Sequence, residues 1–166
     1  MADNYLLFSE SIPGLNPEEQ DWVRRLLSTD RPHDLAEMGI RADVIDIEDW
    51  PGFQWEVQQP SNDLWLYAEE SGNVMHVGEF VRAFLARSRP AACCHLSWAE
   101  TCSRPRLGEF GGGGLFVTAS SVQSWSAHEW LAQQRARFQE NPCQASPLNT
   151  GSPCCRSDEQ NKNLSR

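Results

Sequence analysis

The stretch Glu100-Thr101-Cys102-Ser103-Arg104-Pro105-Arg106-Leu107-Gly108-Glu109-Phe110-Gly111-Gly112-Gly113-Gly114 gathers more chemically capable groups than any other part of the chain. Cys102 sits between hydroxyl residues and ahead of Arg104 and Arg106, the ingredients of a thiol whose ionisation nearby cations favour. A nucleophilic cysteine also needs a base, and His76, His95 and His128 are the candidates, all remote in sequence. The competing reading is a thiol that only packs. The glycines offer unhindered backbone N–H groups to an anion, and Arg104 and Arg106 would help to hold phosphate or carboxylate. Against this, neither phosphate-loop nor dinucleotide spacing is present, and Gly111, Gly112 and Gly113 run into a strand rather than a helix. Backbone adaptability, either a bulge or the close approach of another segment, is the simpler account of those glycines.

A second constellation is Glu69-Glu70 with His76. Paired carboxylates near an imidazole suit acid–base work or cation binding. They also suit a plain helix start, where acids stabilise the N-terminal dipole. Six cysteines occur without any C-x-x-C spacing, so neither a disulfide framework nor a zinc site is expected. No cofactor is implied by any motif.

These groups must be carried by a fold of ordinary size. At 166 residues with 40% apolar content, one domain with a buried core is expected. A strand around Tyr5–Phe8 precedes a helix opened by Asn16-Pro17-Glu18-Glu19, which has the pattern of a capping box with proline at the first position. His33 to Met38 suits one helical turn, and Val44–Ile47 suits a strand before the Trp50-Pro51-Gly52 turn. Alternation predicts a half-buried strand over 53–57 with Phe53, Trp55 and Val57 inward. Leu64–Ala68 reads as a central strand covered on both sides. Asn73 caps an amphipathic helix that ends near Arg87–Arg89. Strands at Cys94–Ala99 and Leu115–Thr118 leave 100–114 as a loop, far longer than the two to five residues usual in hairpins. Ser126 with Glu129 opens a last helix to about Phe138. Trp22, Trp55, Trp98 and Trp130 are expected in the core, leaving Trp50, Trp65 and Trp125 for an aromatic patch.

The expected architecture is α+β, a mixed or antiparallel sheet with helices mainly on one face and a ferredoxin-like βαββαβ core. Residues 1–139 form that domain. Residues 140–166 carry too few apolar side chains to offset their ordering entropy and are expected to be a disordered tail.

The formal charge of −9 is unevenly divided: residues 1–80 hold 17 Asp and Glu against 4 Arg, and residues 81–166 hold 6 against 10 Lys and Arg. Either the halves complement each other inside one fold, or an acidic face steers a basic partner. Generic nucleic-acid binding is excluded for want of a basic stripe. The first residues lack the basic and apolar regions of a secretory signal, and no run of about 18 apolar residues occurs, so a cytoplasmic protein without membrane association is expected.

Trp98-Ala99-Glu100-Thr101-Cys102-Ser103-Arg104-Pro105-Arg106, followed by Glu109-Phe110-Gly111-Gly112-Gly113, resembles a motif of a small family of uncharacterised bacterial, plasmid and phage proteins. Trp65-Leu66-Tyr67-Ala68-Glu69-Glu70-Ser71-Gly72 is similar to a second motif of that family. The resemblance covers about a third of the chain. It implies a cytosolic protein associated with mobile elements and carries over no catalytic residue. The functional expectation is therefore a non-catalytic protein-binding or accessory protein that uses its acidic face or the 100–114 loop. The alternatives are a small enzyme using Cys102 or an acid–histidine pair, with Arg104 and Arg106 on an anionic substrate, and an acidic mimic of nucleic acid.

Overall fold

The computed structural model describes residues 3–29, 31–41 and 43–140. Residues 1–129 form one compact unit, and a second begins at Trp130. The expected tail, 140–166, lies almost wholly outside the described residues.

Six antiparallel strands form one sheet: β1 (Asn4–Ile12), β2 (Gln54–Gln58), β3 (Asp63–Ala68), β4 (Cys93–Cys102), β5 (Gly111–Thr118) and β6 (Val122–Ser126), in the spatial order β2-β3-β1-β4-β5-β6. Helices α1 (Pro17–Leu27), α2 (Pro32–Glu37) and α3 (Val74–Ser88) lie between strands in the chain, and α4 (Ala127–Glu140) follows β6. The run β1-α1-β2-β3-α3-β4 with β1 and β3 central is the βαββαβ arrangement, extended by β5 and β6. The fold is therefore α+β.

Local chemistry fixes the helix starts. Asn16 Oδ1 accepts from the Glu19 N–H at 2.9 Å while Glu19 returns a bond to the Asn16 N–H at 2.9 Å. Asn73 Oδ1 accepts from the N–H groups of Met75 and His76. Such caps satisfy donors that the first helical turn leaves free.

Alternation sorts the strands. Phe8, Ile12, Leu64, Leu66, Ala68, Leu96, Leu115 and Val117 are buried on the face that α3 packs against. Trp22, Phe80 and Phe84 stack above them. The opposite face carries Trp65 stacked on Tyr67 at 4.0 Å, with Phe116 and Trp125 about half exposed. β3 is thus covered on one side only, contrary to its apolar sequence: Trp65 and Tyr67 cover each other, and the Trp65 indole N–H donates to Ser9.

Other expectations are corrected. Val44–Ile47 is no strand; a single 3-10 turn, Ile47–Asp49, stands beside it, capped by Asp46. Trp50 is buried rather than part of a patch, because its indole N–H reaches the Leu26 carbonyl at 3.2 Å. Trp130 is exposed rather than in the core.

The two halves of the charge distribution meet inside the fold. Arg89 forks onto Glu19 with two 2.9 Å bonds. Fully buried Glu79 accepts from Arg82 and from both the side chain and backbone N–H of Arg41. Burial pushes the Glu79 carboxyl up, but the Arg82 and Arg41 bonds outweigh it and hold the group below its ordinary range.

Candidate functional site

About half of the expected 15-residue loop is sheet. β4 continues to Cys102 and β5 starts at Gly111, so the connection is only residues 103–110. The glycines are strand residues: Gly113 pairs with Trp98 on β4 and with Ser126 on β6, and Gly114 pairs with Ser97 and Trp125. Gly111 and Gly112 pair with β4 alone and Gly113 and Gly114 with both neighbours, so this run is sheet backbone and not a loop folded into an anion cradle with Arg104 and Arg106. Those two arginines stand exposed on the connection.

The glycines instead make room for side chains of β4. Trp98, Glu100 and Cys102 share a face with buried Leu96, as period-two alternation requires. Trp98 Nε1 donates to Glu100 Oε1 at 3.2 Å, and Glu100 Oε2 lies 3.5 Å from His128 Nε2. Gly111, directly across from Glu100, lies beneath this pair. A Cβ there would stand 2.5 Å from Glu100 Oε2 and 2.6 Å from His128 Nε2, so only glycine lets the two meet. Gly112 has φ +147°, which disfavours any other residue. His128 is held at this place because Ser126 Oγ accepts from the Glu129 N–H at the start of α4.

Beside the pair lies a cleft of about 350 Å³. Its acids are Glu70, from the turn after β3, Glu100 and Glu109; Asn4, Thr101 and Gly108 complete much of its wall. Two ties assemble it from distant sequence. The Leu6 N–H donates to the Glu70 carbonyl at 3.0 Å, and Asp3 and Ser103 exchange bonds at 2.9 Å. A second cleft of about 600 Å³ shares Glu70–Gly72 and adds Glu69 and Asp49. Among the described residues, no Lys or Arg lines either one. The connection that contributes Gly108 and Glu109 also presents Leu107 fully, and Phe110 half, to solvent.

The two motif regions, 69–72 and 100–109, thus converge on one cleft although about 30 residues separate them. The other candidates fall elsewhere. His76 is buried, with Nε2 accepting from the Asp46 N–H at 3.0 Å and Nδ1 donating to the Pro51 carbonyl at 3.3 Å, against Trp50. Burial depresses its pKa, the Pro51 bond and nearby acids opposing. Neither ring nitrogen is free, so His76 ties the 46–51 segment to α3 and does not join Glu69 and Glu70. Cys102 is half-buried and makes no side-chain hydrogen bond among the described residues. In the sequence His128 is one of three candidate bases with nothing to single it out. Its partner, Glu100, became visible only with the β4–β5 register.

No group of three or more His, Cys, Asp or Glu among the described residues is arranged to hold a metal ion. Among those residues, too, no helix is long and apolar enough to cross a membrane. No protein-family model matches the chain, and no curated protein or solved structure does either.

Proposed function

We propose that this protein is a non-catalytic binding module that takes up a basic, partly apolar segment of a partner protein along the acid-lined cleft. The observation that carries the reading is the gathering of three carboxylates, Glu70, Glu100 and Glu109, in a cleft with no Lys or Arg among its described lining residues, next to the fully exposed Leu107 on the connection that forms the rim. Interfaces join apolar anchors to charges that steer encounter, and a solvated Leu beside an acidic concavity supplies both. An accessory role in the cytoplasm of a bacterium, linked to a mobile element, accords with the motif resemblance. The test is fluorescence anisotropy of labelled peptides that alternate Arg or Lys with Leu, against the same peptides with Glu in place of the bases. Basic peptides should bind, and Glu70→Gln with Glu109→Gln should weaken them about tenfold, roughly 1.4 kcal/mol. Equal binding of acidic peptides, or no effect of the substitutions, overturns the reading.

The enzyme alternative rests on one observation, the Glu100–His128 pair at the cleft edge. A carboxylate that orients an imidazole is the usual support for a general base. Cys102 follows Glu100 by two residues on the same face, about 7 Å along the strand. Timed alkylation of Cys102 across pH is the check. Rates that drop in His128→Asn support that chemistry, and unchanged rates remove it. The mimic reading has less behind it, since Glu19 and Glu79 are taken up by arginines and Glu56 stands on the opposite sheet face from the helices.

A further inference from the structure

A different chemistry is concentrated where α1, α2 and α3 meet. There a groove of about 650 Å³ is lined by Trp22 and Arg25 of α1, Met38 and Gly39 after α2, and Arg82 and Arg87 of α3, with Ala83 and Ala86 between the arginines. Glu37 also touches it, with Oε1 3.1 Å from His33 Nε2.

The groove's cationic charge is only partly met by carboxylates. Glu79 supplies one negative charge to two guanidinium groups, Arg41 and Arg82, so that cluster retains a positive charge. Arg82 uses Nε and Nη2 on Glu79 and on the Gly39 carbonyl; among the described residues its Nη1 has no protein acceptor. Arg87 is fixed by Glu18 at 3.1 Å and lies 6.0 Å from the Trp22 ring. Arg25 forms no ion pair among the described residues and adds a second uncompensated charge. Neighbouring Arg89, by contrast, is fully met by Glu19 and the Pro13 and Gly14 carbonyls.

We propose that this groove binds a small dianionic ligand, a phosphate monoester or a dicarboxylate. The oxyanion would accept from Arg82 Nη1, Arg25 and Arg87, and the carbon portion would rest on Met38, Ala83 and Ala86. Guanidinium forks match carboxylate and phosphate oxygens in geometry as well as charge. The volume falls in the range of small-molecule sites, about 300 to 1,000 Å³. On a chain of net charge −9, whose overall field repels anions, such capture needs a local cationic concentration of this kind.

The test titrates the full chain separately with inorganic phosphate and with succinate at constant ionic strength, following backbone amides and arginine Nε–H groups by NMR. Saturable shifts confined to α1, the α2 end and α3, with Kd below about 1 mM for either probe, support the proposal. Whichever probe saturates names the source of the anion. Arg25→Gln with Arg87→Gln should weaken that binding tenfold or more, with an unchanged circular dichroism spectrum showing that the fold is retained. Shifts that stay linear in concentration, or that persist in the folded double variant, overturn it. Both substitutions lie away from the acid-lined cleft, so the outcome is independent of peptide binding.

Discussion

Two carboxylate clusters meet opposite fates, one within the acidic first half and one drawn from both halves. Glu79 is fully buried and takes bonds from two arginines and a backbone N–H, whereas Glu70, with Glu100 and Glu109, lines an open cleft that no described arginine or lysine lines. The first cluster is electrostatics closed on itself. It fixes α3 against the turn after α2, and the carboxylate's charge is met by guanidinium groups at hydrogen-bond distance. The second leaves its field directed at solvent, where it can select a partner. The net charge of either half says nothing about which is which; burial and the reach of arginine decide.

Removing the closed cluster should have the largest effect. Glu79→Ala leaves Arg41 and Arg82 without their common acceptor and should destabilise the fold by about 3 to 5 kcal/mol, read as a lower urea midpoint. Next comes the junction of the two motifs. Gly111→Ala forces a Cβ between Glu100 and His128 and should cost about 1 to 3 kcal/mol of overpacking, with the His128 imidazole resonances displaced. Gly108→Ala, on the exposed connection with nothing within 4 Å of a Cβ, separates crowding from conformation, since its φ of +79° is the only objection there.

His76 supplies a pH dependence of smaller size. Its folded pKa lies below the ordinary value of about 6.5 because burial penalises the imidazolium, so between those two values the unfolded chain binds the extra proton. Its contribution is therefore complete above about pH 6.5 and is lost as pH falls through that value toward the folded pKa. Urea midpoints measured from pH 8 to 5 should fall on the acid side, and His76→Gln should flatten that slope. The smallest effect is expected at the open cleft. Glu109→Gln should leave stability within about 0.5 kcal/mol, since a half-buried carboxylate with no ion pair among the described residues contributes little to folding. A marked loss would mean that Glu109 belongs with Glu79 rather than with Glu70.

Residues 16–19 and 73–76 announced their helices because a cap is a local device: donor and acceptor lie within three residues, and the pattern is the interaction. Alternation likewise placed Phe53, Trp55 and Val57 on the inner side, and the 69–72 and 100–109 segments stood out by composition. What sequence could not supply was pairing. The glycine run read as a loop because glycine has poor strand propensity in isolation. It is strand because Trp98, Glu100 and His128 need the space its missing side chains leave, a demand made by residues up to 17 positions away. Trp50 and His76 read as a patch and a catalytic candidate, and became buried anchors once α3 and the Leu26 carbonyl were in reach. Local hydrogen bonds and side-chain period are therefore written in the order of residues. Which carboxylate meets an arginine and which faces solvent depends on contacts across dozens of residues, and only the folded chain decides them.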